Sequence, residues 1–147
     1  MQPPKELGHL LRGLHHVAIA VESLAAARGV YEKARGMRAL PVEFVPDQKV
    51  NVLVLFASAQ RVELVEPAAP DSPVSKFLAT RGPGIHHIAW RVDDLQAAID
   101  KLKYHGLRLI DDKPRPGSHG TMVAFVHPKA TGGVLMELVE DPHWRDP

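Results

Sequence analysis

Leu14-His15-His16-Val17-Ala18 is the stretch on which the fold turns, because it occurs twice. It returns as Ile85-His86-His87-Ile88-Ala89, an offset of 87 − 16 = 71 residues. Val21 then matches Val92, and Leu24 matches Leu95. A second string follows in each half: Val62-Glu63-Leu64-Val65-Glu66 returns as Met136-Glu137-Leu138-Val139-Glu140, an offset of 137 − 63 = 74 residues. Two strings that recur in the same order at nearly equal spacing mark a duplicated unit. The chain therefore reads as one domain, 11–141, made of a module at 11–67, a linker at 68–83 and a module at 84–141. The linker is entered through Pro67, carries Pro70 and Pro73, and should hold a short helix near 74–80.

Local patterns agree between the modules. Residues 14–21 alternate as a half-buried strand does. Ser23 is placed to cap a helix, and Leu24, Ala27, Tyr31 and Ala34 recur at helical spacing, with Gly36 as the expected C-cap. In the second module Asp93 and Gln96 resemble a capping box; Leu95, Ala98, Ile99 and Leu102 form the stripe, and Gly106 ends the helix. Strands are expected at 38–45, 50–57 and 61–66, and again at 108–110, 121–126 and 134–140. The order is strand, helix, three strands, twice: an α+β fold of tandem βαβββ modules.

Strand side chains alternate between faces. His15, Val17, Ile19 and Val21 share one bulky face, which suits packing on a helix. His16, Ala18 and Ala20 share the other, which is small and open. The second module repeats this with His86, Ile88, Trp90 and Val92 against His87, Ala89 and Arg91. Val62 and Leu64 should face the helix and Glu63 the open side; Met136 and Leu138 should face it and Glu137 the open side. A carboxylate among apolar strands costs several kcal/mol unless it has a partner. One histidine on a strand is ordinarily a core or surface residue. Four residues on matching faces, duplicated in register, point instead to His16, Glu63, His87 and Glu137 around one divalent cation. His15 and His86 are expected to be structural, with a hydrogen bond to backbone as the alternative role.

Composition narrows the rest. The 147 residues are 45% hydrophobic and 24% charged with net charge +1, so neither nucleic acid nor a membrane is expected as partner. Nine histidines are present and no cysteine, so a metal would be held by His, Asp or Glu. Residues 1–14 show no signal-peptide pattern, and no stretch reaches the roughly 20 apolar residues of a bilayer span; a cytoplasmic protein is expected.

At these residues the chain resembles the vicinal oxygen chelate superfamily, the glyoxalase, bleomycin-resistance and dioxygenase group, over nearly all of 14–140. More narrowly it resembles the methylmalonyl-CoA epimerases. Beside the two repeated strings, this rests on Asp71-Ser72-Pro73, Gly117-Ser118-His119-Gly120, His127-Pro128-Lys129 and Gly132-Gly133-Val134-Leu135-Met136-Glu137-Leu138. Glyoxalase I typically shows Asp-Pro-Asp-Gly where this chain has His127-Pro128-Lys129.

The resemblance implies a cupped mixed sheet around a metal, with His16, Glu63, His87 and Glu137 as ligands of one ion: Co, Zn, Ni, Mn or Fe(II). It implies interconversion of (R)- and (S)-methylmalonyl-CoA by removal of the proton alpha to the thioester, with the metal stabilising the enolate. Glu137 is the leading base and Glu63 the candidate acid on the opposite face. Some epimerases carry glutamine at the position of Glu63. Some carry a further glutamate on the strand matching 50–57, where this chain has no acid. An acyl-CoA substrate and a homodimer are implied as partners. The loop 111–120, with Ser118, His119 and Gly120, would cover the substrate; Arg91 and Lys129 would meet CoA phosphates or the carboxylate. The tail 142–147 reads as a loose end from which Trp144 docks on a neighbour. The alternatives are glyoxalase I acting on a glutathione hemithioacetal, a non-haem iron dioxygenase, and a metal-free binding module of the same superfamily.

Overall fold

The computed structural model describes Gly8, residues 10–33 and residues 36–144. Its elements are β1 (Leu11–Ala20), α1 (Leu24–Glu32), β2 (Arg38–Ala39), β3 (Glu43–Val45), β4 (Val50–Ala57), β5 (Gln60–Pro67), α2 (Pro73–Arg81), β6 (Gly84–Val92), α3 (Leu95–Tyr104), β7 (Arg115–Pro116), β8 (Met122–Val126) and β9 (Met136–Glu140). Two compact units result: one takes His16–His86, the other takes the chain from His87 onward together with its start up to His15. The first five residues of β1, Leu11 to His15, thus go with the second unit, where Leu10 and Leu11 pack against the α3 core and the Leu10 carbonyl accepts the Asp93 N–H.

In the first unit the strands run β2-β4-β5-β1, with β3 paired to β4. β1 and β5 are parallel, Ala18 facing Glu63; β4 and β5 are antiparallel, Val54 facing Glu63. Ile19, Val62, Leu64, Leu53 and Leu55 pack with Leu24, Ala27 and Tyr31 of α1. The other face carries Ala20, Val50, Val52, Val54 and Val65, and there the linker helix lays Val74, Phe77 and Leu78. Each large apolar side chain buried this way contributes about 1.5–3 kcal/mol.

The second unit repeats the arrangement as β6-β9-β8-β7. β6 and β9 are parallel, Ala89 facing Glu137; β8 and β9 are antiparallel, Phe125 facing Glu137. Leu95, Ala98, Ile99 and Leu102 of α3 pack on Ala124, Val126, Met136 and Leu138, while Ala89, Val123 and Val139 cluster on the opposite face. The faces follow the sequence pattern in both units.

Several local expectations are corrected. The N-cap of α3 is Asp94, whose carboxylate accepts the Ala97 N–H at 3.0 Å; Asp93 instead binds Arg12 Nε, and Gln96 binds Asp100. Helix α1 ends at Glu32 with Lys33 as cap, short of Gly36, and Ala34 lies outside the described residues. Gly106 does stop α3: at φ +75 it donates to Lys103, while Leu107 donates to Leu102, the double bond of a Schellman turn. The strand expected over 38–45 breaks into β2 and β3 across Pro41, which has no N–H for a ladder. The strand expected at 108–110 is a single bridge from Leu109 to Val126. There the ladder is diverted: Asp111 places its carboxylate on the Phe125 N–H at 2.8 Å, and pairing resumes only at β7.

Candidate metal centre and its surroundings

Parallel pairing of β1 with β5 sets His16 and Glu63 side by side, His16 Nδ1 lying 3.2 Å from Glu63 Oε2. Parallel pairing of β6 with β9 does the same for His87 and Glu137, with Nε2 3.5 Å from Oε1. All four side chains are buried. The residues paired with Glu63 across the sheet are Ala18 and Val54, and those paired with Glu137 are Ala89 and Phe125, all apolar. The His87 ring stands edge-on to Phe125 at 5.2 Å.

Burial pushes the His87 imidazole down to about 3. Burial pushes the Glu137 carboxyl up to about 8; the charges of His15 and Arg115 oppose that rise and Asp111 adds to it. A neutral imidazole beside a carboxyl that resists ionisation is a poor ion pair but a good half of a metal site. The neutral ring is the ligating form, and a cation would stabilise the carboxylate that burial disfavours. His16 and Glu63, and likewise His87 and Glu137, belong to groups of buried side chains that could hold a metal ion.

His15 and His86 are also engaged elsewhere. His15 Nε2 lies 2.8 Å from Asp141 Oδ2, both side chains almost fully buried, and its ring tilts against Trp144 at 5.5 Å. Its partner is thus a carboxylate rather than backbone. His86 meets the edge of Phe77 at 5.0 Å, so the helix it faces is α2 and not α3. Trp144 docks on its own chain, between His15 and the Arg91 guanidinium, which lies 4.6 Å from the ring centroid. Residues 145–147 of the expected loose tail lie outside the described residues.

Ser118, His119 and Gly120 form one tight turn before β8. Ser118 is buried, and its carbonyl accepts both the Thr121 N–H and the Thr121 hydroxyl. His119 at φ 52 and Gly120 at φ 74 are successive left-handed residues. For histidine that conformation is strained, and such strain gathers at functional loops. Gly117 admits no side chain: a Cβ would stand 2.5 Å from Thr121 Oγ1. Lys129 is exposed on the turn Pro128–Ala130, its backbone N–H held by His127 Nδ1. Asp111, Arg115 and Asp141 were not singled out from the sequence. Their only signals were an aspartate directly after the second glutamate string and an arginine set between Pro114 and Pro116.

A family model for the glyoxalase/bleomycin resistance protein/dioxygenase superfamily matches residues 15–125. The chain belongs to that superfamily. Among its relatives is an uncharacterized protein, YqjC of Bacillus subtilis, 43% identical over 86% of this chain and 91% of its own length. The ethylmalonyl-CoA/methylmalonyl-CoA epimerase of Cereibacter sphaeroides is 39% identical over 85% of this chain and 95% of its own length. A solved methylmalonyl-CoA epimerase in complex with methylmalonyl-CoA and NH4+ superposes with a TM-score of 0.86 at 34% identity, covering 93% of this chain and 99% of that one. The glyoxalase-like α+β fold is thereby shown. Among the described residues no helix is long and apolar enough to cross a membrane.

Proposed function

We propose that this protein is a metal-dependent epimerase that interconverts (R)- and (S)-methylmalonyl-CoA. The observation that carries the reading is the duplicated, buried His/Glu pair, His16 with Glu63 and His87 with Glu137, in a chain similar to epimerases of that substrate. In this reading the four side chains hold one divalent ion. When bound, such an ion supplies a positive charge that offsets the buried carboxylates and stabilises the negative charge developing on the thioester oxygen.

The chain's own groups then have separate tasks. Glu137 takes the proton alpha to the thioester; its burial makes it a stronger base than a solvated carboxylate once ionised. Glu63, its counterpart in the repeat, returns a proton on the opposite face. β4 offers no third carboxylate, since residues 50–57 contain no acid. Val52 and Val54 lie on the Glu63 side of the first unit and keep it apolar. The turn Ser118–Gly120 contributes backbone amides toward the substrate's carboxylate, with Arg91 and Lys129 serving the CoA phosphates or that carboxylate. The reading includes a cytoplasmic location, an acyl-CoA substrate and a homodimer; sedimentation of the purified protein would check the dimer.

Two assays on the Co-loaded protein test it: epimerisation of methylmalonyl-CoA and isomerisation of the glutathione hemithioacetal. Epimerisation that is lost on chelation is expected. Turnover of the hemithioacetal alone, or epimerisation indifferent to chelator, would overturn it.

A further inference from the structure

Register across the second unit puts charge beside Glu137 in a definite pattern. Ala89, Glu137 and Phe125 form one row across β6, β9 and β8. The next row along the same face is Arg91, Val139, Val123 and Arg115, spanning β6, β9, β8 and β7. Residues paired laterally project to the same side, and residues two apart in a strand share a face about 7 Å apart. Glu137 is therefore flanked on its own face by two arginines, one on each side of the valine pair.

The two are engaged differently. Arg91 lies beneath the Trp144 ring, which covers the face of its guanidinium. Arg115 is gripped from behind: its Nη1 donates to Asp111 Oδ1 at 3.0 Å, while Asp111 Oδ2 accepts the Phe125 N–H at 2.8 Å. Asp111 is buried and bound through both oxygens, so it works as a rigid bracket, whereas the Arg115 side chain stays about one-third exposed (32%). A guanidinium is a planar fork of donors, the geometry that matches a carboxylate, and the bond to Asp111 sets its plane. Pro114 and Pro116 on either side stiffen the backbone that carries it.

We propose that Arg115, bracketed by Asp111, is the specificity-determining residue that recognises the free carboxylate of the acyl group. It separates malonyl-type thioesters from uncharged acyl thioesters. The inference rests on the epimerase reading and adds to it the group that reads the substrate's charge.

The test compares two ligands that differ only by the carboxylate. Calorimetric binding of methylmalonyl-CoA and of propionyl-CoA is measured for the wild type, Arg115→Met and Arg115→Lys. The wild type should prefer methylmalonyl-CoA. Arg115→Met should lose about 10- to 100-fold in affinity for that ester alone, the range of a charge-assisted hydrogen bond, and bind propionyl-CoA as before. Arg115→Lys, which keeps the charge without the fork, should fall between and serves as the reading if the Met variant does not fold. Equal weakening of both esters would make Arg115 a structural tie and overturn the proposal. If the wild type epimerises methylmalonyl-CoA and the variants keep the preference, this inference alone fails. If the wild type binds neither ester, the epimerase reading fails and takes this one with it.

Discussion

Glu66 Oε2 accepts the backbone N–H of Leu24, the first residue of α1, at 2.7 Å. The repeat copies the bond: Glu140 Oε1 accepts the Leu95 N–H at the start of α3, at 3.0 Å. In each Val/Met-Glu-Leu-Val-Glu string the first glutamate faces the open side beside a histidine, and the second turns to the helix. They stand three positions apart in the strand, an odd offset, so alternation sends them to opposite faces.

Glu66→Ala and Glu140→Ala should each therefore cost stability rather than chemistry. Each loses a carboxylate bonded to a helix N-terminus, worth about 1–3 kcal/mol. Glu66→Ala also strips the Asn51 side chain of its bond to Glu66 Oε1. Denaturant titration should show the loss, with kcat of the folded fraction unchanged. A loss of kcat without a shift in the midpoint would contradict the division of labour.

Glu137→Gln keeps the shape of the side chain and removes the base. Exchange of the alpha proton of methylmalonyl-CoA with deuterated solvent, followed by NMR, should slow by about 10²- to 10⁴-fold. Wild-type exchange would remove Glu137 from its assigned role.

The pH dependence of the chelator-treated protein follows from two opposed shifts. Glu137 is raised to about 8 from 4.5, so its contribution is full below about 4.5 and is lost as pH rises through 8. His87 is lowered to about 3 from 6.5, so its contribution is full above about 6.5 and is lost as pH falls toward 3. The two slopes cancel between about 4.5 and 6.5. The melting temperature should be highest there and fall toward pH 8. Added Co or Zn must displace the Glu137 proton, so its stabilisation should grow from pH 6 to pH 8. Scanning fluorimetry at pH 5.5, 7 and 8, with chelator and with metal, checks both trends; a chelated protein that melts higher at pH 8 than at pH 5.5 sinks the assignment of these two shifts.

Gly117→Ala should disturb the turn before β8. The new Cβ would lie 2.5 Å from Thr121 Oγ1 and 2.8 Å from Val123 Cγ1, so strand and turn must part. A loss of about 1–3 kcal/mol is expected from such overpacking, read as a lower melting temperature. KM for methylmalonyl-CoA should rise with it, because Ser118 and His119 follow directly. An unchanged KM in the folded variant would detach the turn from substrate binding.

Much of this protein could be read from its residues alone, for a physical reason. Strand alternation and helical spacing are local, so the repeat, the paired faces of β1, β5, β6 and β9, and the choice of His16 over His15 and of Glu63 over Glu66 all followed from period. Tertiary structure decided what depends on distant chain segments. Asp141 reaches His15 across 126 residues of sequence, Trp144 folds back over Arg91, and α2 covers the valine face of the first unit. Asp111 diverts a strand by taking the Phe125 N–H and in doing so holds Arg115. No periodicity announces such contacts, because each is made by a side chain whose partner is chosen by the packing of the chain and not by its neighbours in sequence.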